Sequence, residues 1–133
     1  LQSWLTALDA GGLALRFDIA TPWVWGRRFL EQHRDLLTTL RDQAMQADLQ
    51  AVQALIAGGM QHDLRTHLGT IATPTLVLTG AEDLLTPPWH AQELAQAIPH
   101  AQLLIVPQAG HALPIEQATL FNAVTLAFLT AQS

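Results

Sequence analysis

Two residues in the second half of the chain have the types and setting to move a proton. Asp83 stands in Gly80-Ala-Glu-Asp83-Leu-Leu-Thr86-Pro87, just after the apolar run Thr75–Thr79. His111 stands in Pro107-Gln-Ala-Gly110-His111-Ala, just after a second apolar run, Gln102–Val106. A carboxylate that accepts a hydrogen bond from one imidazole nitrogen sets the ring's tautomer and leaves the other nitrogen free to act as a general base. The pair does this only if the two loops leave the fold side by side. Other candidates are weaker. Glu82 is the nearest competing carboxylate and reads as solvent-facing, and Asp83 itself could be a plain turn residue. His90 and His100 read as surface residues on or after a helix. His62, Asp63 and His67 suggest a metal cluster, but two histidines five positions apart face differently on a helix, so no metal is expected.

The elements around the pair follow from the pattern of apolar residues. Thr75–Thr79, ended by Gly80, and Gln102–Val106, ended by Pro107 and Gly110, read as short buried strands. Between them, Thr86-Pro87-Pro88 reads as a helix start with a capping hydroxyl. Ala91, Leu94, Ala95 and Ile98 then point inward before Pro99 ends the helix. A last helix follows Pro114, with Ile115, Ala118, Phe121, Val124 and Phe128 among its apolar positions. Strand, crossover helix, strand, helix predicts two parallel strands, whose following loops share one edge of the sheet. Neighbouring strands lie about 4.8 Å apart, so side chains from those loops can meet.

The first half is helical. Residues 1–10 carry Leu1, Trp4, Leu5 and Leu8 on one face, and Gly11-Gly12 ends that helix. The helix reads as already under way at Leu1, so the expectation is a chain that continues upstream. Leu13–Trp25, interrupted by Pro22, fits no single element. Arg27–Met45 predicts one amphipathic helix through Phe29, Leu30, Leu36, Leu37 and Leu40. Asp48 is placed to cap a further helix stopped by Gly58-Gly59, and Asp63 to cap a short one through Leu64 and Leu68. Arg27 and Arg28 read as a solvated helix start, although guanidinium groups there could meet a substrate carboxylate.

Composition bounds the rest. Half of the 133 residues are apolar and 13% are charged, well below the usual share of about 25%, which excludes a disordered chain. The net charge is −5, and no Lys or Arg occurs after Arg65, which argues against nucleic acid and anionic membrane surfaces as partners. There is no cysteine, so disulfides and thiolate chemistry are excluded. No apolar run approaches the ~20 residues of a membrane span, and no secretory signal is visible, which leaves a cytoplasmic location as the default expectation.

Residues Thr73 to Leu129 resemble the end of an α/β-hydrolase: Pro74-Thr-Leu-Val-Leu-Thr-Gly80-Ala-Glu-Asp83, Thr86-Pro87, Ile98-Pro99, Gly110-His111, and a helix closing on Ala127-Phe128-Leu129. The resemblance implies an α/β fold divided into a helical cap-like segment, 1–72, and a C-terminal β-α-β-α part of the hydrolase core, 73–133. It implies Asp83 as triad acid and His111 as base, in the family's order of acid before histidine. It implies no cofactor and a small-molecule ester, lactone or thioester as substrate of the whole enzyme, nearest to lactonase and esterase types. Under a cap, Trp23, Trp25 and Phe29 could line an acyl or aromatic pocket, or equally pack as core. The nucleophile elbow G-x-S-x-G is absent, and the only serines are Ser3 and Ser133. The chain alone is therefore expected to be inert. Two alternatives stand beside the hydrolase reading: a non-catalytic module that self-associates, as a homodimer, through an exposed sheet edge or the cap, and one half of a split hydrolase.

Overall fold

The apolar run bounded by Pro74 and Gly80 becomes strand β1, Leu76–Gly80, and the run before Pro107 becomes β2, Gln102–Val106. In the computed structural model, which describes residues 1–132, the two strands pair in parallel, with Leu76 opposite Gln102 and Gly80 opposite Val106. Both strands are half-buried or exposed where they begin and buried where they end. Their carboxyl ends are thus the packed ends, where Val106, Ala109 and Leu113 form a buried cluster with Leu78, Leu104 and Phe121 against it.

The chain divides into two compact units, Leu1–Pro22 with Leu30–Asp63, and Trp23–Phe29 with the chain from Leu64 onward. The first is helical. Helix α1, Gln2–Val24, is broken at Gly11 and Gly12, and Gly12 takes a left-handed φ of 63° that disfavours any side chain. Beyond the break the segment that fits no single period is helical and tolerates Pro22 near its end. Trp4, Ala7, Leu8, Ala20 and Ile56 are buried in this unit, and the Arg16 guanidinium lies 4.7 Å over the Trp4 ring. The single helix expected over Arg27–Met45 is two, α2 (Arg27–Gln32) and α3 (Arg34–Ala44), because His33 leaves helical geometry at φ −124°, ψ 42°. Asp48 caps α4, Leu49–Gln61, by accepting the Ala51 N–H at 3.0 Å. That helix runs on through Gly58 and Gly59, since two glycines cost helix stability without forbidding the conformation. Arg41 and Asp18 form a two-pronged ion pair at 2.8 and 3.1 Å, and the guanidinium holds the carboxyl below its ordinary range.

Asp63, the last residue of the first unit, does not cap the helix that follows it. A 3₁₀ turn, Arg65–Thr70, begins after Leu64 and packs against α5, Pro88–Ala97. Ala91 and Ile98 are buried on that side, whereas Leu94 is 39% exposed. The last helix is also two pieces, α6 (Leu113–Glu116) and α7 (Ala118–Thr130), joined at Gln117. Among the described residues no helix is long and apolar enough to cross a membrane.

Candidate active site

Because the strands are parallel and end level, the loops after Gly80 and Val106 rise from one edge and bond to each other directly. Ala81 N–H donates to Val106 C=O and Glu82 N–H to Ala109 C=O, both at 2.8 Å. This approach requires Gly80, because a Cβ there would run into the carbonyl oxygens of Ala109 and Gly110. Gly110 is held as tightly from its other side, where a Cβ would come within 2.5 Å of Gly26 N and 2.7 Å of the Trp25 carbonyl carbon.

The loops bring Asp83 and His111 together. Asp83 Oδ2 lies 2.9 Å from His111 Nδ1, with the Asp83 residue 4% exposed and the imidazole side chain 40% exposed. Three more donors converge on the carboxylate. Leu85 N–H and Thr86 N–H reach Oδ1 at 2.9 and 2.8 Å, and the Thr86 hydroxyl reaches Oδ2 at 2.9 Å. A carboxylate offers about four acceptor positions, so this one is filled. Its partner at Nδ1 must then donate, which places the imidazole proton on Nδ1 and leaves Nε2 with its lone pair. The arrangement can take a proton at Nε2 while the buried carboxylate holds the ring and stabilises the imidazolium.

Thr86 is where sequence reasoning chose the wrong partner. Its hydroxyl was expected to cap α5, yet that helix has no side-chain cap, and Oγ1 turns back to Asp83, 3.2 Å from His111 Nδ1. The geometry of Asp83, whose side chain bonds backbone N–H groups two and three residues on, sets this local turn and draws Thr86 in. Since Oγ1 lies on the Nδ1 side of the ring, it is no nucleophile activated by Nε2. Thr86→Val should cost about 1.5 kcal/mol, toward the low end for a hydrogen bond to a charged group, whereas Thr86→Ser should cost less than half of that. Urea unfolding of both variants measures the difference; equal costs would mean that the hydroxyl contributes nothing.

Bonds that the sequence did not indicate tie the segment Val24–Arg28 to these loops. The Glu116 carboxylate accepts Gly26 N–H at 3.0 Å and Gly110 N–H at 3.0 Å. Ala112 N–H donates to Val24 C=O at 3.1 Å, and Arg28 Nη1 to Gln108 Oε1 at 2.9 Å. Glu82, expected to face solvent, is half-buried and accepts Arg27 N–H at 2.7 Å. One signal for Glu116 was present in the sequence: it is the only acidic residue after Glu93, in a stretch without Lys or Arg.

The aromatic candidates separate. Trp25 and Phe29 stack on each other at 4.7 Å with 10° between their rings and are buried, while Trp23 is half-exposed. Stacking of this kind adds roughly 0.5–1.5 kcal/mol beyond burial. The His90 ring lies 3.5 Å from that of Trp89, tilted by 31°, and His100 is exposed. Among the described residues no group of three or more His, Cys, Asp or Glu is placed to hold a metal ion.

Known proteins resemble this chain along most of its length. Residues 56–132 match the α/β-hydrolase family model described as TAP-like protein. The chain is 36% identical over 133 residues to the dihydrolipoyllysine-residue acetyltransferase component of the acetoin cleaving system of Pseudomonas putida, covering 97% of this chain and 34% of that one. It is 33% identical over 123 residues to RutD of Klebsiella pneumoniae, a protein named for carbamate hydrolysis, covering 92% of this chain and 42% of that one. The crystal structure of the enol-lactonase from Burkholderia xenovorans LB400 superposes with a TM-score of 0.89 at 27% identity, over 96% of this chain and 49% of the lactonase. The chain thus spans between about a third and a half of the length of these relatives. With a family model matched over more than half its residues and parallel strands ending in paired loops, this chain belongs to the TAP-like family of α/β-hydrolases, whose last strand–helix units it carries.

Proposed function

We propose that this chain is the C-terminal portion of a serine hydrolase in which Asp83 is the triad acid and His111 the general base. The observation that carries the reading is the 2.9 Å contact between His111 Nδ1 and a carboxylate filled by four donors. That contact leaves Nε2 to serve a nucleophile. The nucleophile comes from outside residues 1–133, since neither Ser3 nor Ser133 sits in a G-x-S-x-G turn. In the complete enzyme His111 Nε2 removes the serine hydroxyl proton as Oγ bonds to the acyl carbon. The tetrahedral intermediate collapses with loss of the alkoxide, which takes the proton back from Nε2. Water, deprotonated by the same nitrogen, then releases the acid and regenerates the serine. Asp83 keeps its charge throughout and faces the imidazolium.

The substrate class is a carboxylic ester, lactone or thioester; the likeness to the enol-lactonase favours the lactone, and the likeness to RutD adds carbamates. The helical segment 1–72 serves as the cap, and Trp23, Trp25 and Phe29 supply the apolar lining of the acyl pocket. The test is hydrolysis of p-nitrophenyl acetate by the complete enzyme and its dependence on His111.

A second reading has its own observation. Both outer edges of the two-stranded sheet are unpaired among the described residues, and Leu120, Leu126 and Leu129 of α7 are 40%, 63% and 58% exposed. Unpaired strand edges and adjoining apolar surface favour pairing with another chain. By itself the 133-residue chain should self-associate at tens of micromolar, as a homodimer. Equilibrium sedimentation showing a single monomeric species at that concentration would refute this second reading.

A further inference from the structure

We propose that Glu116 is a positioning residue for His111, holding the histidine loop in register with Asp83 through the backbone of Gly110 and the segment Val24–Gly26. The proposal rests on the reading of His111 as the base, and adds a carboxylate that touches neither the base nor the acid.

Glu116 ends α6, five residues beyond His111, and its backbone N–H bonds back to Ala112 C=O at 3.0 Å. Its side chain therefore folds over the loop it follows. Both carboxylate oxygens lie 3.0 Å from Gly110 N, and Oε2 lies 3.0 Å from Gly26 N. Gly26 and Gly110 are both buried, and a buried N–H without a partner is strongly disfavoured. The half-buried Glu116 thus satisfies two backbone donors that reach no other described acceptor, with charge-assisted bonds. The surroundings allow no ordinary substitute. A Cβ on Gly26 would stand 2.8 Å from Glu116 Oε2 and 3.0 Å from Gly110 N, so the three groups are packed without a spare methyl's width.

The consequence falls on His111 because it lies between two anchored residues. Gly110 before it is tied to Glu116, and Ala112 after it donates to Val24 C=O at 3.1 Å. The same strip, Val24–Gly26, anchors both. One residue before Gly110, Ala109 C=O accepts Glu82 N–H at 2.8 Å. A shift of Gly110 by about 1 Å would carry the 2.9 Å bond between His111 and Asp83 beyond hydrogen-bonding range. Glutamine at 116 would keep the shape but offer a single acceptor oxygen; with that oxygen in the Oε2 position, its NH₂ would be turned against Gly110 N–H at the 3.0 Å now spanned by Oε1.

The experiment uses the 133-residue chain and ¹H–¹⁵N NMR. In the unsubstituted protein the Nδ1 proton of His111 should give a resolved downfield resonance, because its bond to Asp83 slows exchange with water. In Glu116→Gln that resonance should disappear, with exchange of the Gly110 amide accelerated about tenfold or more, while the amides of Leu78 and Leu104 in the sheet keep their shifts. A Glu116→Gln protein with an intact sheet and an unchanged His111 resonance overturns the proposal. Should Glu116→Gln fail to fold, amide exchange in the unsubstituted chain decides. Protected Gly26 and Gly110 amides that exchange together support the proposal, and an unprotected Gly110 amide overturns it. The two layers remain separable. Esterase activity that needs His111 but a resonance indifferent to Glu116 removes only the positioning role. A resonance that needs Glu116 in an enzyme indifferent to His111 removes only the hydrolase reading.

Discussion

His111→Ala in the complete enzyme should lower kcat for p-nitrophenyl acetate by roughly 10⁴- to 10⁶-fold with little change in KM, the loss seen when the base of a triad is removed. In the proposed mechanism the imidazole accepts the serine proton in the transition state rather than binding the ground-state substrate, so truncating it should spare ground-state binding. Asp83→Asn should fall by about 10⁴-fold for a different reason. Four donors point at the two oxygens of Asp83, from Leu85, from Thr86 twice and from His111. An asparagine has one acceptor oxygen, so its NH₂ must face at least one of these donors. Of the two groups at Oδ2, the Thr86 hydroxyl can turn to accept, and the imidazole can follow only by moving its proton to Nε2, which leaves the ring unable to act as a base. Steady-state kinetics measure both losses, His111→Ala removing the imidazole and Asp83→Asn leaving it in the wrong tautomer. Activity within tenfold of the parent for His111→Ala would rule out the proposed role.

Gly80→Ala should be the most damaging single methyl in the chain, with a loss of about 3–5 kcal/mol from a total that for domains of this kind is about 5–15 kcal/mol. The added Cβ would overlap the backbone carbonyl oxygens of Ala109 and Gly110, and neither can swing aside as a side-chain end could. Relief requires the two loops to part. That breaks the 2.8 Å bonds from Ala81 N–H to Val106 and from Glu82 N–H to Ala109, and with them the spacing of Asp83 and His111. Gly58→Ala is the matching control. It lies inside α4 with nothing beyond its neighbours and its own helix backbone within 4 Å of an added Cβ, so alanine there should stabilise by about 0.5–1 kcal/mol through helix propensity. Thermal melts followed by circular dichroism should move in opposite directions for the two variants. A Gly80→Ala protein that melts with the parent would show that the loops do not pack as described.

Leu76–Gly80, Gln102–Val106 and the loop positions of Asp83 and His111 could be read from local signals: apolar β-forming runs, bounded by proline and glycine, at a spacing that holds one crossover helix. Parallel pairing follows from that order, and with it the shared edge that lets an acid and an imidazole meet. Local signals also named the caps and breaks that hold, at Asp48 and at Gly11-Gly12. They failed at His33 and Gln117, where the backbone leaves helical geometry and one apolar stripe is divided into two helices. They failed again at Thr86, whose hydroxyl has a cap position and a buried carboxylate both within reach and takes the charged acceptor. The clamp around His111 was decided by tertiary structure alone. Gly26 and Glu116 meet across 90 residues, and Arg28 and Gln108 across 80. Nothing in the sequence near any of these residues encodes the partner, because a hydrogen bond between distant segments depends on where the whole chain has brought them. The amino-acid sequence determined which groups can do the chemistry, and the packing of Val24–Arg28 against both loops determined how firmly they are held to it.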